Sequence, residues 1–290
     1  IATGNSNHNG FKYGLTWMAY RPIHETECCI GNLHRYMPNY VARMWLKDKK
    51  GHPVAALYGP SSVVYDLGEG VTVKIDEITQ YPFEEQVKFK FTFFKDGKRS
   101  ADSHQMDFTY RIPGWCKAAE SGFHTESKEW KSGEVFTVRL PMQIEVVDAP
   151  VQGKCIQRGP IVYSYAIPAN WVEDTKIYDN LAGKVSANPE FKSWELTPAG
   201  KWNYALVENM LRGLRVQRTG SGGFPFDPES VPLKIRVPVK GVKDWTLKED
   251  RFTPALPETV VPESEQVEFI ELVPYGSTTL RLTTFPTIKE

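Results

Sequence analysis

Apolar residues alternate with polar ones through much of this chain, and that period of two constrains the fold more than any other feature. In Gln86–Phe94, Val87, Phe89, Phe91 and Phe93 fall on one face, with Lys88, Lys90 and Thr92 on the other. Only an extended strand with one face in a core and one in water separates residues in this way. Similar runs occupy Val54–Tyr58, Val63–Leu67, Val71–Ile75, Met106–Ile112, Val135–Leu140 and Ile161–Tyr165, with turn dipeptides such as Asp96-Gly97, Pro113-Gly114 and Ser132-Gly133 between them. Short strands at this density predict a β-sandwich.

The chain turns irregular from about Ala166 through Trp202-Asn203-Tyr204, and a Gly220-Ser221-Gly222-Gly223 loop follows. Strand signals return at Leu233–Val237, Val267–Val273 and Gly276–Thr283. A second, smaller sandwich is expected, with the boundary near residue 165.

Helical spacing stands out in one place. Leu33, Tyr36, Met37, Tyr40, Val41 and Met44 make a single apolar stripe, which predicts a helix over 33–46 with Asn32 as its N-cap. Pro38 should kink it or mark a restart, and Lys47 to Gly51 should end it.

With 35 basic and 35 acidic residues among 290, the chain lacks the net positive charge that drives binding to nucleic acid or anionic membranes. No run approaches the ~20 apolar residues of a membrane span. The first residues form neither a signal peptide nor an initiating methionine, so the chain is expected to begin inside a longer protein. Leu256-Pro257-Glu258-Thr259-Val260 lacks the glycine and apolar tail of a wall-sorting signal and reads as loop.

The run His24-Glu25-Thr26-Glu27-Cys28-Cys29-Ile30-Gly31-Asn32-Leu33-His34-Arg35 carries the chemistry. Adjacent cysteines rarely pair with each other, because the small ring strains the disulfide torsion. Either they are a buried structural pair, or they serve soft-metal ligation or nucleophilic chemistry, for which a nearby helix N-terminus eases thiolate formation. Cys116 and Cys155 sit alone in apolar runs and are expected to be buried and inert.

Cys28-Cys29-x-x-Asn32-x-x-Arg35 resembles the signature of the β-L-arabinofuranosidases of glycoside hydrolase family 127. Further landmarks follow in the family's order at Ile78–Phe83, Tyr110–Trp115, Gln157–Tyr163 and Leu272–Gly276. The resemblance implies a mainly β fold: two β-sandwich (jelly-roll-like) domains, 47–165 and 166–290, preceded at 1–46 by the last helical piece of an (α/α)6 barrel. It also implies a retaining glycosidase of plant-type glycans in which Cys28 is the nucleophile and Cys28 and Cys29 are zinc ligands. The acid/base and the other ligands would lie upstream of Cys28.

Ile30 stands where a well-known branch has proline, which leaves the sugar open. Glu25, Glu27 and His24 beside the pair read first as solvated or structural groups. Asn32 reads first as a cap, and Arg35 either binds a sugar hydroxyl or bridges barrel to sandwich. Trp17, Trp115, Trp130, Trp171 and Trp202 serve either a sandwich core or a sugar-stacking platform.

Expected partners are a glycan substrate and either the protein's own N-terminal portion or a second copy, with no nucleic acid or membrane. The compartment is open, with a bacterial periplasmic or extracellular setting favoured. Two other readings remain: a non-catalytic carbohydrate-binding or scaffolding module, and a zinc site that only locks the helix in place.

Overall fold

A computed structural model describes residues 19–20, 27–173, 192, 194–220, 222–250 and 253–289, and for 19–20 and 27–34 the backbone alone. The protein is mainly β and divides into two compact units. One is formed by residues 32–143, the other by the described residues before 32 and after 143.

The first unit is a sandwich. One sheet runs Val135–Arg139, Gln86–Lys95, Val71–Thr79, Ser61–Gly68, with Lys98–Arg99 beside Gln86–Lys95. The other runs Trp45–Lys47, Pro53–Ala55, Ser103–Ile112, Gly122–Lys131. The alternation predicted in Gln86–Phe94 holds: Val87, Phe89, Phe91 and Phe93 are fully buried, while Lys88 and Lys90 face water. From the opposite sheet Met106, Phe108 and Trp130 meet them in one core, with Tyr65, Val73 and Ile75 alongside. The Trp130 indole satisfies its only donor on the Met106 carbonyl at 2.9 Å, so the largest core side chain leaves no polar atom unpaired.

Gly122–Lys131 is a full-length strand that the hydrophobic pattern did not reveal. Only Trp130 among its ten residues is buried. Its strand character comes from pairing residue for residue with Ser103–Ile112, from Ser103 opposite Lys131 to Ile112 opposite Gly122. Backbone hydrogen bonding of that kind leaves no mark on the apolar period.

The second unit holds a nine-stranded sheet. Its main path runs Ile144–Asp148, Lys154–Arg158, Ile161–Ala166, Glu268–Pro274, Leu233–Gly241, Tyr204–Val207, Thr287–Ile288. The step between units therefore falls at 143/144, ahead of the boundary expected near 165, because the hairpins before 166 hydrogen-bond into this sheet. A three-stranded sheet of Ala19–Tyr20, Trp194–Pro198 and Ala169–Glu173 completes the unit. Ile167, Leu196 and Leu280 form a small core there, and Arg281–Leu282 is all that becomes strand in the predicted run Gly276–Thr283. Among the described residues no helix is long and apolar enough to cross a membrane.

The helix spans Glu27–Ala42 rather than 33–46. Asn32 therefore lies inside it and is not its N-cap. Pro38 sits within a continuous helix instead of ending it, and the Asn39 side-chain amide donates to the Arg35 carbonyl at 2.8 Å in the same turn. At the other end Trp45–Lys47 leaves the helical pattern to pair with Pro53–Ala55. The run Lys47 to Gly51 is consequently the bend of a hairpin and not a helix terminus. Asp48 Oδ1 holds that bend by accepting from the amides of Lys50 and His52, each at 2.8 Å.

Candidate functional site

Cys28 and Cys29 are the second and third residues of the helix, by its backbone. The sequence placed them just outside the helix mouth, whereas they lie in its first turn. The first four amides of a helix have no intrahelical acceptor, and the macrodipole is positive there. A thiol at such a backbone position is easier to ionise. The side chains of Glu27 and of both cysteines lie outside the described residues, as do His24, Glu25 and Trp17.

Further along the helix Arg35 is exposed. The stripe read from the sequence is largely open to water: Tyr36, Met37 and Val41 are 72%, 60% and 61% exposed. Tyr40 instead donates its hydroxyl to the Tyr58 carbonyl at 2.9 Å. Tyr58 in turn donates its hydroxyl to the Arg111 carbonyl and accepts from the Arg111 amide at 3.1 Å. Tyr81 packs edge-on to Tyr58 and stacks on Trp115, with ring centroids at 5.7 Å and 6.5 Å. The second and third sequence landmarks thus meet around Tyr58, a residue the motif reading passed over. No signal other than its place in an apolar run pointed to it.

Glu77 anchors the same cluster. It is 3% exposed, and its carboxylate accepts from the Gly59 amide at 3.0 Å and from the Ser61 hydroxyl at 3.1 Å, where Trp45 Nε1 also donates to Ser61 at 3.0 Å. Burial outweighs these two donors and lifts its pKa to about 7. Burial likewise raises the phenols of Tyr40 and Tyr58, with the Glu77 charge adding to both, and lifts Tyr81 to about 12.

A carboxyl raised on folding stabilises the fold fully below its unfolded pKa. That contribution disappears as the pH climbs to the folded value, so here it is lost between about pH 4.5 and 7. The shift corresponds to about 3 kcal/mol at pH 8. Glu77→Gln mimics the protonated acid: its carbonyl keeps the Gly59 amide and its NH2 donates to Ser61. The variant should melt above wild type at pH 8 and level with it at pH 4. Parallel melting curves at every pH would refute the assignment.

The fourth and fifth landmarks also meet. Tyr163 pairs with Pro274 across adjacent strands. Gly159 takes φ +55°, the left-handed region, at the bend from Lys154–Arg158 into Ile161–Ala166. A Cβ on Gly276 would come within 2.7 Å of the Phe226 ring, so a side chain there would force that ring to move.

The remaining candidates separate by burial. Trp130 is core, and Trp115 belongs to the Tyr81 stack. Trp171 is 46% exposed, with Trp194 edge-on at 6.1 Å. Trp202 lines a cavity of about 340 Å³ with Ile167, Leu196, Leu280 and Leu282. Cys116 is buried as expected, but Cys155 is half-buried, its sulfur 3.6 Å from the Thr284 hydroxyl.

Residues 54–142 match the family model described as Beta-L-arabinofuranosidase, GH127 middle domain. The match is to a GH127 domain over under a third of the chain. That span includes Tyr58, Glu77, Tyr81, Arg111 and Trp115, so the cluster just described lies within the GH127 match. No curated protein matches the chain.

Among solved structures, a GH127 β-L-arabinofuranosidase from Geobacillus stearothermophilus is similar at TM-score 0.58 and 18% identity, over 93% of this chain and 39% of that one. A second, described as a glycoside hydrolase, has TM-score 0.60 and 15% identity, over 99% and 43%. A third, a GH127 β-arabinofuranosidase, has TM-score 0.60 and 14% identity, over 93% and 40%. At these identities the likeness is one of fold. The chain spans about two-fifths of the length of each.

Proposed function

We propose that this chain is the β-rich, C-terminal part of a retaining glycoside hydrolase of the GH127 kind, acting on β-L-arabinofuranosides or related pentosides of plant-type glycans. The observation that carries the reading is the GH127 match over 54–142, directly after a helix whose first turn bears Cys28-Cys29. Residues 1–46 are assigned to the end of an (α/α)6 barrel, with two β domains following that divide at 143/144, where the compact units part, rather than near 165. The exposed Tyr36, Met37 and Val41 support this, since such a stripe suits burial against neighbouring barrel helices.

Cys28 attacks the anomeric carbon as a thiolate and displaces the aglycone oxygen, which takes a proton from an acid in the rest of the protein, leaving a thioglycosyl intermediate. Water, giving a proton back to that group, then displaces the sulfur, so two displacements retain configuration. The donor set of two thiols suits a soft or borderline ion, and Cys28 and Cys29 would hold zinc together with ligands from the rest of the protein. Zinc, when bound, supplies the charge that keeps the thiols deprotonated at neutral pH. The helix N-terminus adds to that bias from the backbone.

The test is an assay of the full-length, zinc-replete protein on aryl β-L-arabinofuranosides and a panel of other aryl pentosides, with the first-formed anomer read by NMR. Hydrolysis with retention is expected. Absence of turnover on the whole panel would reject the enzyme reading, and glycan binding that persists without hydrolysis would favour a binding module.

A further inference from the structure

We propose that Asp48, His52 and Asp107 form a three-donor site for a divalent cation of the Mn2+ or Zn2+ kind. None of these residues takes part in the chemistry assigned above, and the proposal stands whether or not the chain belongs to a glycosidase.

The three donors come from one sheet. Asp48 and His52 flank the bend between Trp45–Lys47 and Pro53–Ala55, and Asp107 lies on Ser103–Ile112. His52 Nδ1 stands 3.4 Å from Asp107 Oδ2 and 3.7 Å from Asp48 Oδ2, and one ligand atom from each residue falls within 4.8 Å of the others. Both separations exceed a direct hydrogen bond. An N–H shared with a carboxylate would draw the nitrogen to ~2.7–3.2 Å, and Nδ1 makes no hydrogen bond although that atom is closed off from solvent. Donors held at about 2.1 Å around one tetrahedral ion lie about 3.4 Å apart, close to the two separations from His52 Nδ1.

The carboxylates are already aimed. Asp48 Oδ1 is taken by the Lys50 and His52 amides, and Asp107 Oδ1 by the Ser127 hydroxyl, which leaves Asp48 Oδ2 for the site and Asp107 Oδ2 facing it in common with Lys50. Such outer contacts fix ligand orientation before an ion arrives. Lys50 Nζ sits 3.0 Å from Asp107 Oδ2, so a positive charge occupies this place now, and its 71% exposed side chain is free to move aside. One imidazole with two carboxylates suits Mn2+ or Zn2+ better than a thiol-seeking ion.

The test is calorimetric titration of Mn2+ into the full chain carrying Cys28→Ser and Cys29→Ser, so that the thiols do not compete, with circular dichroism as the check on folding. One equivalent should bind, and Mn2+ should broaden the His52 ring resonances selectively. In that background His52→Gln should weaken binding at least about tenfold, a loss that even outer contacts produce. Lys50→Met should tighten it severalfold by removing the resident cation. This exposed change decides the matter if His52→Gln fails to fold. No saturable binding, or affinity indifferent to Lys50→Met, would overturn the site and leave an ion-pair network alone.

Discussion

Cys28→Ser in the full-length protein should lower kcat/KM on an arabinofuranoside by at least about 10³, close to 4 kcal/mol of transition-state stabilisation. A serine hydroxyl is un-ionised at neutral pH, so neither the helix N-terminus nor a bound ion can make it the nucleophile that a thiolate is. The loss should fall on kcat more than on KM, because the missing bond forms only as the sugar leaves its aglycone. Cys29→Ser should also reduce metal content but should leave the thioglycosyl intermediate detectable by mass spectrometry in any residual turnover. Undiminished hydrolysis by Cys28→Ser would remove residue 28 from the chemistry.

The largest effect on stability should come from Phe108→Ala. Phe108 is fully buried between the two sheets of the first unit, with ring centroids 5.0 Å from Phe89, 5.2 Å from Phe91, 5.9 Å from Phe136 and 6.0 Å from Trp130. Three of these four contacts run edge to face within about 10° of perpendicular, or are otherwise steeply inclined, a geometry favourable beyond simple burial. Truncation to alanine opens a cavity that rigid neighbours cannot fill and should cost about 3–5 kcal/mol. Urea unfolding followed by 19F NMR of fluorotryptophan-labelled protein, at the assigned Trp45 and Trp130 resonances, reads this unit, and the other tryptophan resonances report the second unit separately. A change under 1 kcal/mol would mean that the core relaxes around the gap.

The sequence revealed those parts of the fold in which one face meets a core. Gln86–Lys95, Val71–Thr79 and Ile161–Ala166 begin where alternation placed them, since burial imposes the period. Gly122–Lys131 left no such trace, because its partner strand and not its side chains sets its conformation. The helix was displaced by about six residues at its start: the apolar stripe begins at Leu33, but the backbone turns helical from Glu27. Of the candidate site, the landmark residues were legible as motifs, and their meeting at Tyr58 and Glu77 was not. Glu77 looked like one polar residue in a strand until its carboxylate proved to be shut away from water.

The join between helix and sheet has a mechanical meaning. Only Arg43 and Met44 separate Ala42 from Trp45, and the Met44 carbonyl accepts from the amides of both Ala56 and Leu57, at 2.8 Å and 3.2 Å. With the Tyr40 hydroxyl fastened a short way back, the last turn of the helix and the residues after it are tied to the sandwich at two nearby points. That end of the helix is thus a root set in the sandwich rather than a pendant.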